Sequence, residues 1–352
     1  MKTVLILCGG RSEEHEISLI SAKGILDALD RKLYQPLLVG ISKKGVWHLL
    51  NEENFFEGEF RADKIKLNEK APAITLAPFT NEKRQGTLLC SGKTHLFDVV
   101  FPILHGRFGE DGTLQGMLDM MNVPYVGSNC GSSGLCMDKI LTKTLCLKAG
   151  IPTAKFTWVE SVEDLSKVAS DLNELKYPLF VKPPRQGSSI GVSKVNTPKD
   201  LKAAVETALK YDTKCLIEEG IRGREIECAV LGHPKQAKVA TPGEIIPSKK
   251  VGWYSFEAKY LLADGAETKV PTDLDVQTTE RIKNFALKAF NCLECSGMAR
   301  VDLFLEESTQ NIYLNEINTI PGFTPISMYP KMWQASGLSY SALVSELIYL
   351  AR

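Results

Sequence analysis

The chain has 352 residues, which at about 150 residues per domain predicts two or three domains. Its 42 Lys+Arg against 42 Asp+Glu leave no net charge and no long basic run, so neither nucleic acid nor a membrane surface is an expected partner. With 44% hydrophobic and 24% charged residues, the composition is that of a globular protein and excludes disordered and collagen-like classes.

The first ten residues carry one charge and a short apolar run ending in Gly9-Gly10, too little for a signal segment, and predict a buried strand over residues 4–8. No 18-residue apolar stretch follows, so a soluble, cytoplasmic protein is expected. Ser12 is the predicted N-cap of an amphipathic helix reaching about Leu29, with Glu13, Glu14 and Glu16 in the first turn, where the helix dipole favours acids. Residues 35–41 and 96–104 predict two more strands, the second halted by His105-Gly106. This βαβ rhythm implies a parallel sheet with ligands at the carboxyl ends of its strands. Residues 51–92, polar and rich in breakers, give the least definite pattern in the chain.

Residues 124–128 predict a boundary, and residues 137–149 a helix stopped by Gly150 and Pro152. A strand over 179–182, a Gly/Ser loop over 186–191, a strand over 192–195, a helix near 198–209 and a strand over 216–218 come next. A second sheet is expected from 225–232. Residues 245–269 predict one long loop, of a length that in compact domains serves as a lid or is disordered. The nine cysteines are scattered, and only Cys292-Leu293-Glu294-Cys295 forms a close pair. A zinc site would need two further ligands at suitable spacing, so reduced, mostly buried thiols are expected.

Three segments concentrate chemistry. In 298–305 and 312–318 two predicted strands flank a polar turn and should pair as a hairpin. Alternation puts Arg300 and Asp302 on one face, with Ala299, Val301, Leu303 and Leu305 on the other, and gives Glu316 and Asn318 a common face. Asp302, Glu316 and Asn318 could then form an all-oxygen cluster for a hard divalent cation, and the same spacing serves a solvated polar hairpin face. In 180–191, Lys182 precedes a small-residue loop that could offer a cation and backbone N–H groups to phosphates, or simply turn the chain; it is not a P-loop. Lys139 reads equally as a surface lysine. In 105–116, four glycines alternate with His, Arg, Glu and Asp at the end of a strand, where α/β sites lie.

These segments are recognisable. Residues 105–116 resemble the H-G-x-x-G-E-D-G-x-x-Q-G signature of D-alanine–D-alanine ligases, and Arg300-Val301-Asp302 with residues 314–322 resembles the family's second signature. Lys182 with residues 187–191, and Glu257-Ala258-Lys259-Tyr260, match in order, and the resemblance runs from Leu7 to about Ile348. It implies a three-domain ATP-grasp fold: an N-terminal parallel α/β substrate-binding domain over 1–127, a central domain with the phosphate loop over 128–218, and a C-terminal domain with metal site and lid over 219–352. It also implies ATP-driven joining of two D-alanines through an acyl phosphate for peptidoglycan precursors.

Carried over by position, Asp302, Glu316 and Asn318 would hold two Mg²⁺ (or Mn²⁺), with Glu316 bridging. Arg300 and the Gly322 N–H would face the oxyanion, while Lys139, Lys182, Lys259, Ser188 and Ser189 would contact phosphates. Glu218, Glu219 and Ile221 would frame adenine and Glu225 would take the ribose. Glu16 would bind the first alanine's ammonium, His105 would sit near its carboxylate, and Ser327 and Met328 would hold the second alanine. Glu16, Ser188 and Tyr260 would link to close the lid. A homodimer is implied. Gln186 stands where many relatives have Glu and receives no role. Tyr260 favours D-alanine over D-lactate as second substrate, because the resembling enzymes that make D-alanyl-D-lactate carry a different residue there. A related ligase using D-lactate or D-serine is the nearest alternative. A dehydrogenase, suggested by Leu7-Cys8-Gly9-Gly10, lacks G-x-G-x-x-G and leaves the hairpin carboxylates idle.

Overall fold

A computed structural model of the chain describes residues 1–247, 266–324 and 326–351. Its N-terminal sheet has strand Lys2–Gly9 at the centre, parallel to Tyr34–Ile41 on one side and to Val99–Pro102 on the other, with Trp47–Leu50 antiparallel at the edge. The central strand is apolar on both faces. Val4, Ile6 and Cys8 pack toward helix His15–Ala28, and Leu5 and Leu7 pack toward helix Thr113–Met121, as a strand covered by helices on both sides requires.

The first helix begins at His15 rather than beside Ser12, and its N-cap residue Glu14 makes no side-chain cap bond. Ser12 is used across the sheet instead: its hydroxyl donates to the His105 carbonyl at 2.6 Å and accepts from the Glu14 N–H at 3.2 Å. The strand expected over 96–104 is two strands, Lys93–Phe97 and Val99–Pro102, in different sheets. Asp98 separates them, accepting from the Thr3 N–H at 2.7 Å and the Gln85 amide at 2.8 Å. Within residues 51–92, short strands form a two-stranded and part of a three-stranded antiparallel sheet.

The helix expected over 137–149 is also two, Cys130–Met137 and Lys139–Lys148. Asp138 breaks the run because its carboxylate caps the second helix, accepting from the N–H groups of Ile140 and Leu141. A four-stranded antiparallel sheet follows, ordered Phe156–Val159, Cys215–Glu219, Leu179–Lys182, Ser193–Val195, and helix Leu201–Ala208 packs on it. The largest sheet has Gly223–Gly232 paired to both Gly243–Pro247 and Gly297–Glu306, the latter paired in turn to Ile312–Asn318. Helix Val276–Cys292 covers its apolar face through Ile282, Ala286, Ala289 and Phe290.

The long loop expected over 245–269 is narrower, because Gly243–Pro247 and Ala266–Lys269 are strands paired with each other. Residues 248–265 lie outside the described residues. The C-terminal helices Met328–Ala335 and Tyr340–Tyr349 return to the N-terminal core, where Tyr329, Met332, Leu343 and Leu347 join the cluster around the first helix. Gly24 permits this contact, since a Cβ there would stand 2.4 Å from the Phe323 carbonyl oxygen.

Candidate active site

Strands Gly297–Glu306 and Ile312–Asn318 pair as the alternation requires, with a β-bulge at the critical point. Asp302 faces Glu316, whereas Leu303 faces Leu314, so Asn315 is the extra residue. Without that insertion, Asn315 would lie opposite Asp302; the bulge re-aims Glu316 onto its face. Arg300 donates to both Asp302 oxygens at 2.7 Å and stands 3.3 Å from Glu227 on the adjoining strand, and the Asn318 amide donates to Asp302 at 2.9 Å. The Arg300 guanidinium is half-buried, and its pKa is nevertheless raised because Asp302 and Glu227 outweigh desolvation.

Lys139, opening the helix that Asp138 caps, reaches Glu316 at 3.1 Å and donates to the Gln186 carbonyl at 2.9 Å. Burial alone would lower its pKa, and Glu316 and Glu110 reverse the direction. Behind it, Glu218 accepts two buried ammonium groups, Lys182 at 2.5 Å and Lys143 at 2.9 Å. Burial would raise the Glu218 carboxyl, but the two lysines hold it down at about 2. Two cations on one carboxylate leave a buried excess of positive charge, the electrostatic condition for an anion. Nothing in the local sequence pattern singles out Lys143; it lies on a helix face and meets Glu218 only through folding.

The loop between Lys182 and Ser193 places Ser188 (φ 52°) and Ser189 (φ 60°) in the left-handed region. The Ser188 hydroxyl donates to Glu14, and a Cβ on Gly187 would lie 2.6 Å from the Glu14 carboxylate, so the loop backbone passes close to that acid. This corrects the expectation for Glu16. Glu16 pairs with Lys43 at 2.8 Å, with the lysine side chain 54% exposed, while Glu14 is the acid that lines the site. Two positions along the helix entry suffice to turn a side chain from one face to another, and composition cannot distinguish neighbouring glutamates.

His105 is buried, with Nδ1 3.0 Å from the Ile320 carbonyl and Nε2 3.2 Å from the Ser21 hydroxyl. A ring nitrogen facing a carbonyl carries the proton, so Nδ1–H donates and Nε2 accepts, and burial lowers the ring's pKa in keeping with a neutral imidazole. Glu110, from the same glycine-rich segment, accepts from the Gly106 N–H at 2.9 Å. Its carboxyl is pushed up to about 8 by burial and by the neighbouring charge of Glu14. Gly322 packs against Ser327, whose hydroxyl accepts from the Thr324 N–H at 3.0 Å; Met328 is buried beneath.

A cavity of about 890 Å³ gathers these groups, lined among others by Glu14, His105, Glu110, Lys139, Ser188, Glu227, Arg300, Glu316, Asn318, Gly322, Ser327 and Met328. Lys182, Glu218 and Glu219 on the central sheet do not line it, nor do Ser189 in the loop, Ile221 in the connection to the larger sheet, and Glu225 on the larger sheet's strand Gly223–Gly232. Glu219 spends one carboxylate oxygen on the Lys176 N–H at 2.9 Å. Lys259 and Tyr260 lie outside the described residues.

The donor set fits a hard divalent cation. Among the described residues no three His, Cys, Asp or Glu side chains form a ready cage. However, Asp302, Glu316, Glu227 and Glu110 surround two cations, Arg300 and Lys139, with Glu14 near Glu110, and burial followed by the charge of Glu14 raises the Glu110 carboxyl.

Two antiparallel sheets bearing buried lysines on one side and an oxygen-rich hairpin on the other define the class of ATP-grasp ligases. The model of the D-ala D-ala ligase N-terminus matches residues 3–128 and that of the C-terminus residues 145–349. The D-alanine–D-alanine ligase of Shouchella clausii is 45% identical over 99% of this chain and 94% of its own length. The structure of the D-alanine–D-alanine ligase of Coxiella burnetii is 38% identical, with TM-score 0.83, covering 99% of this chain and 93% of that one. The VanG D-Ala:D-Ser ligase of Enterococcus faecalis is 34% identical, with TM-score 0.85, covering 99% of both. The chain belongs to the D-alanine–D-alanine ligase family.

Proposed function

We propose that the chain joins two D-alanines to D-alanyl-D-alanine at the expense of ATP, releasing ADP and phosphate, in a bacterial wall-precursor role. The carrying observation is the opposed charge of two adjacent buried clusters, one able to seat phosphates and the other able to seat cations. The central residues 128–218 and the C-terminal residues 219–352 would hold the nucleotide between their sheets. Glu218, Glu219 and Ile221 would frame adenine, and Glu225 would take the ribose hydroxyls.

Lys182 and Lys139 hold the nucleotide phosphates, with Lys143 tethering Glu218 beneath them and the 186–191 loop wrapping the terminal phosphoryl. Glu14, rather than Glu16, takes the ammonium of the first D-alanine, and neutral His105 sits near its carboxylate. That carboxylate oxygen attacks the terminal phosphorus, forming an acyl phosphate and releasing ADP. The amine of the second D-alanine, its own carboxylate at Ser327 and Met328, then attacks the acyl carbon. Arg300 and the Gly322 N–H stabilise the tetrahedral oxyanion, which collapses with loss of phosphate. Asp302, Glu316 and Asn318 would hold Mg²⁺ or Mn²⁺, which when bound neutralises charge on the transferring phosphoryl group. Acyl phosphates hydrolyse, so water must be excluded; Lys259 and Tyr260 belong to the segment suited to close the site.

Phosphate release measured with D-alanine, Mg²⁺ and ATP, and with each omitted, tests this reading. Release that requires all three, with D-alanyl-D-alanine as product, is expected. Equal turnover with D-serine or D-lactate as second substrate overturns the assignment of that substrate, and release independent of D-alanine overturns the whole.

A further inference from the structure

The loop over 183–191 carries two consecutive serines in the left-handed region, a conformation that side chains adopt only where surrounding contacts over-determine it. Beside it a cavity of about 810 Å³ is lined by Arg185 of the loop together with Arg107, Asp111, Asp138 and Asp212. Besides the Ser188–Glu14 and Lys139–Gln186 contacts, the loop is held by a three-residue segment just after helix Leu201–Ala208, Tyr211-Asp212-Thr213.

Asp212 is the centre of that segment, its side chain only 4% exposed. Its carboxylate accepts from the Arg185 N–H at 3.0 Å, from the Arg185 Nε at 3.1 Å, from a terminal guanidinium nitrogen, and from the Thr213 N–H at 2.7 Å. The same guanidinium donates to the Thr213 hydroxyl at 2.9 Å. One residue on, the Gln186 amide donates to the Tyr211 carbonyl at 3.2 Å, while the Gln186 carbonyl receives Lys139. At the loop's other end, a Cβ on Gly191 would stand 2.7 Å from the Tyr211 ring, so the ring closes over that glycine. The segment therefore grips entry and exit of the loop together, and Gln186, whose identity the family pattern leaves unexplained, supplies the donor that a backbone carbonyl needs. Burial would raise the Asp212 carboxyl, and Arg185 outweighs it, so it stays ionised at neutral pH.

We propose that Asp212 is a positioning residue for nucleotide binding, acting through Arg185 to hold the phosphate loop in its strained, binding-ready form. The proposal rests on the reading of that loop as the nucleotide's phosphate cradle. Without the latch the loop must be reorganised by the nucleotide itself, so nucleotide affinity falls further than affinity for D-alanine, whose subsite meets the loop through the Ser188–Glu14 contact.

The test is steady-state kinetics of Asp212→Asn, Arg185→Gln and the double variant, with Mg²⁺–ADP binding measured by calorimetry. Each single variant should raise KM for ATP and Kd for ADP about tenfold, the scale of losing a charge-assisted hydrogen bond, with a smaller rise, at most a few-fold, in KM for D-alanine. The double variant should be no worse than either single, because the two residues form one device. Arg185 is 43% exposed at its side chain, so Arg185→Gln tests the latch even if Asp212→Asn fails to fold. Unchanged nucleotide constants in the folded singles, a parallel rise in KM for D-alanine, or additive losses in the double variant overturn the proposal. An unmodified enzyme that binds ADP but makes no dipeptide overturns the substrate assignment instead, leaving the ADP measurements to judge the latch.

Discussion

Glu218 and Glu110 are the same functional group held at opposite ends of the carboxylate range, about 2 and about 8. Burial pushes both upward, and the neighbours decide the outcome. Around Glu218, two lysines face one acid; around Glu110, the acids Glu14 and Glu316 stand within range against Lys139. One region of the molecule is thus short of negative charge and the adjacent one short of positive charge. On the proposed function, a nucleotide triphosphate with its divalent cations would supply both deficits at once.

The sharpest way to break the acidic side is Glu316→Gln. It keeps the volume and the bulged hairpin but removes the charge opposite Asp302. Turnover should fall by ~10²-fold or more, the scale of one electrostatic group in a transition state, in steady-state assays at saturating Mg²⁺. Unaltered turnover would detach the hairpin from the chemistry.

The basic side answers to pH. Glu218 is ordinary when unfolded and about 2 when folded, so its contribution to stability is complete above pH ~4.5 and is lost as pH falls through the folded value. Denaturant unfolding of the native protein from pH 6 to pH 2 should show a loss on the order of 3 kcal/mol that Glu218→Gln lacks. Parallel curves would mean that the lysines do not hold the carboxylate ionised.

Smaller changes separate neighbouring glutamates. Glu14→Gln should raise KM for D-alanine at least about tenfold, whereas Glu16→Gln removes only an exposed pair with Lys43 and should stay within about twofold. The reverse ranking would restore the sequence-based assignment of Glu16. Smallest is Ser188→Ala, which removes one hydroxyl from Glu14 and should lower kcat/KM about fivefold, measured against both substrates. Tyr260→Phe, on the role the family resemblance implies for that residue, is expected in the same range.

Much of this arrangement was legible in the chain. The parallel start, the hairpin and its face alternation, and the glycine-rich segments follow from periods of two and from glycine punctuation, which are local properties. Local reading failed where one residue serves a distant partner. Ser12 caps no helix because the His105 carbonyl takes its hydroxyl, Asp98 splits a strand because Thr3 and Gln85 need an acceptor, and Asp138 splits a helix to cap the next one.

The sequence by itself determined which elements form and which residue types carry chemistry, because backbone sterics and hydrophobic periodicity act between near neighbours. Only the tertiary structure decided that Glu14 and not Glu16 faces the cavity, that a bulge at Asn315 brings Glu316 opposite Asp302, and that Lys143 shares Glu218 with Lys182. Charge and hydrogen bonding act through space between residues from tens to more than a hundred positions apart in the chain, and no local pattern records which of two similar side chains will meet such a partner.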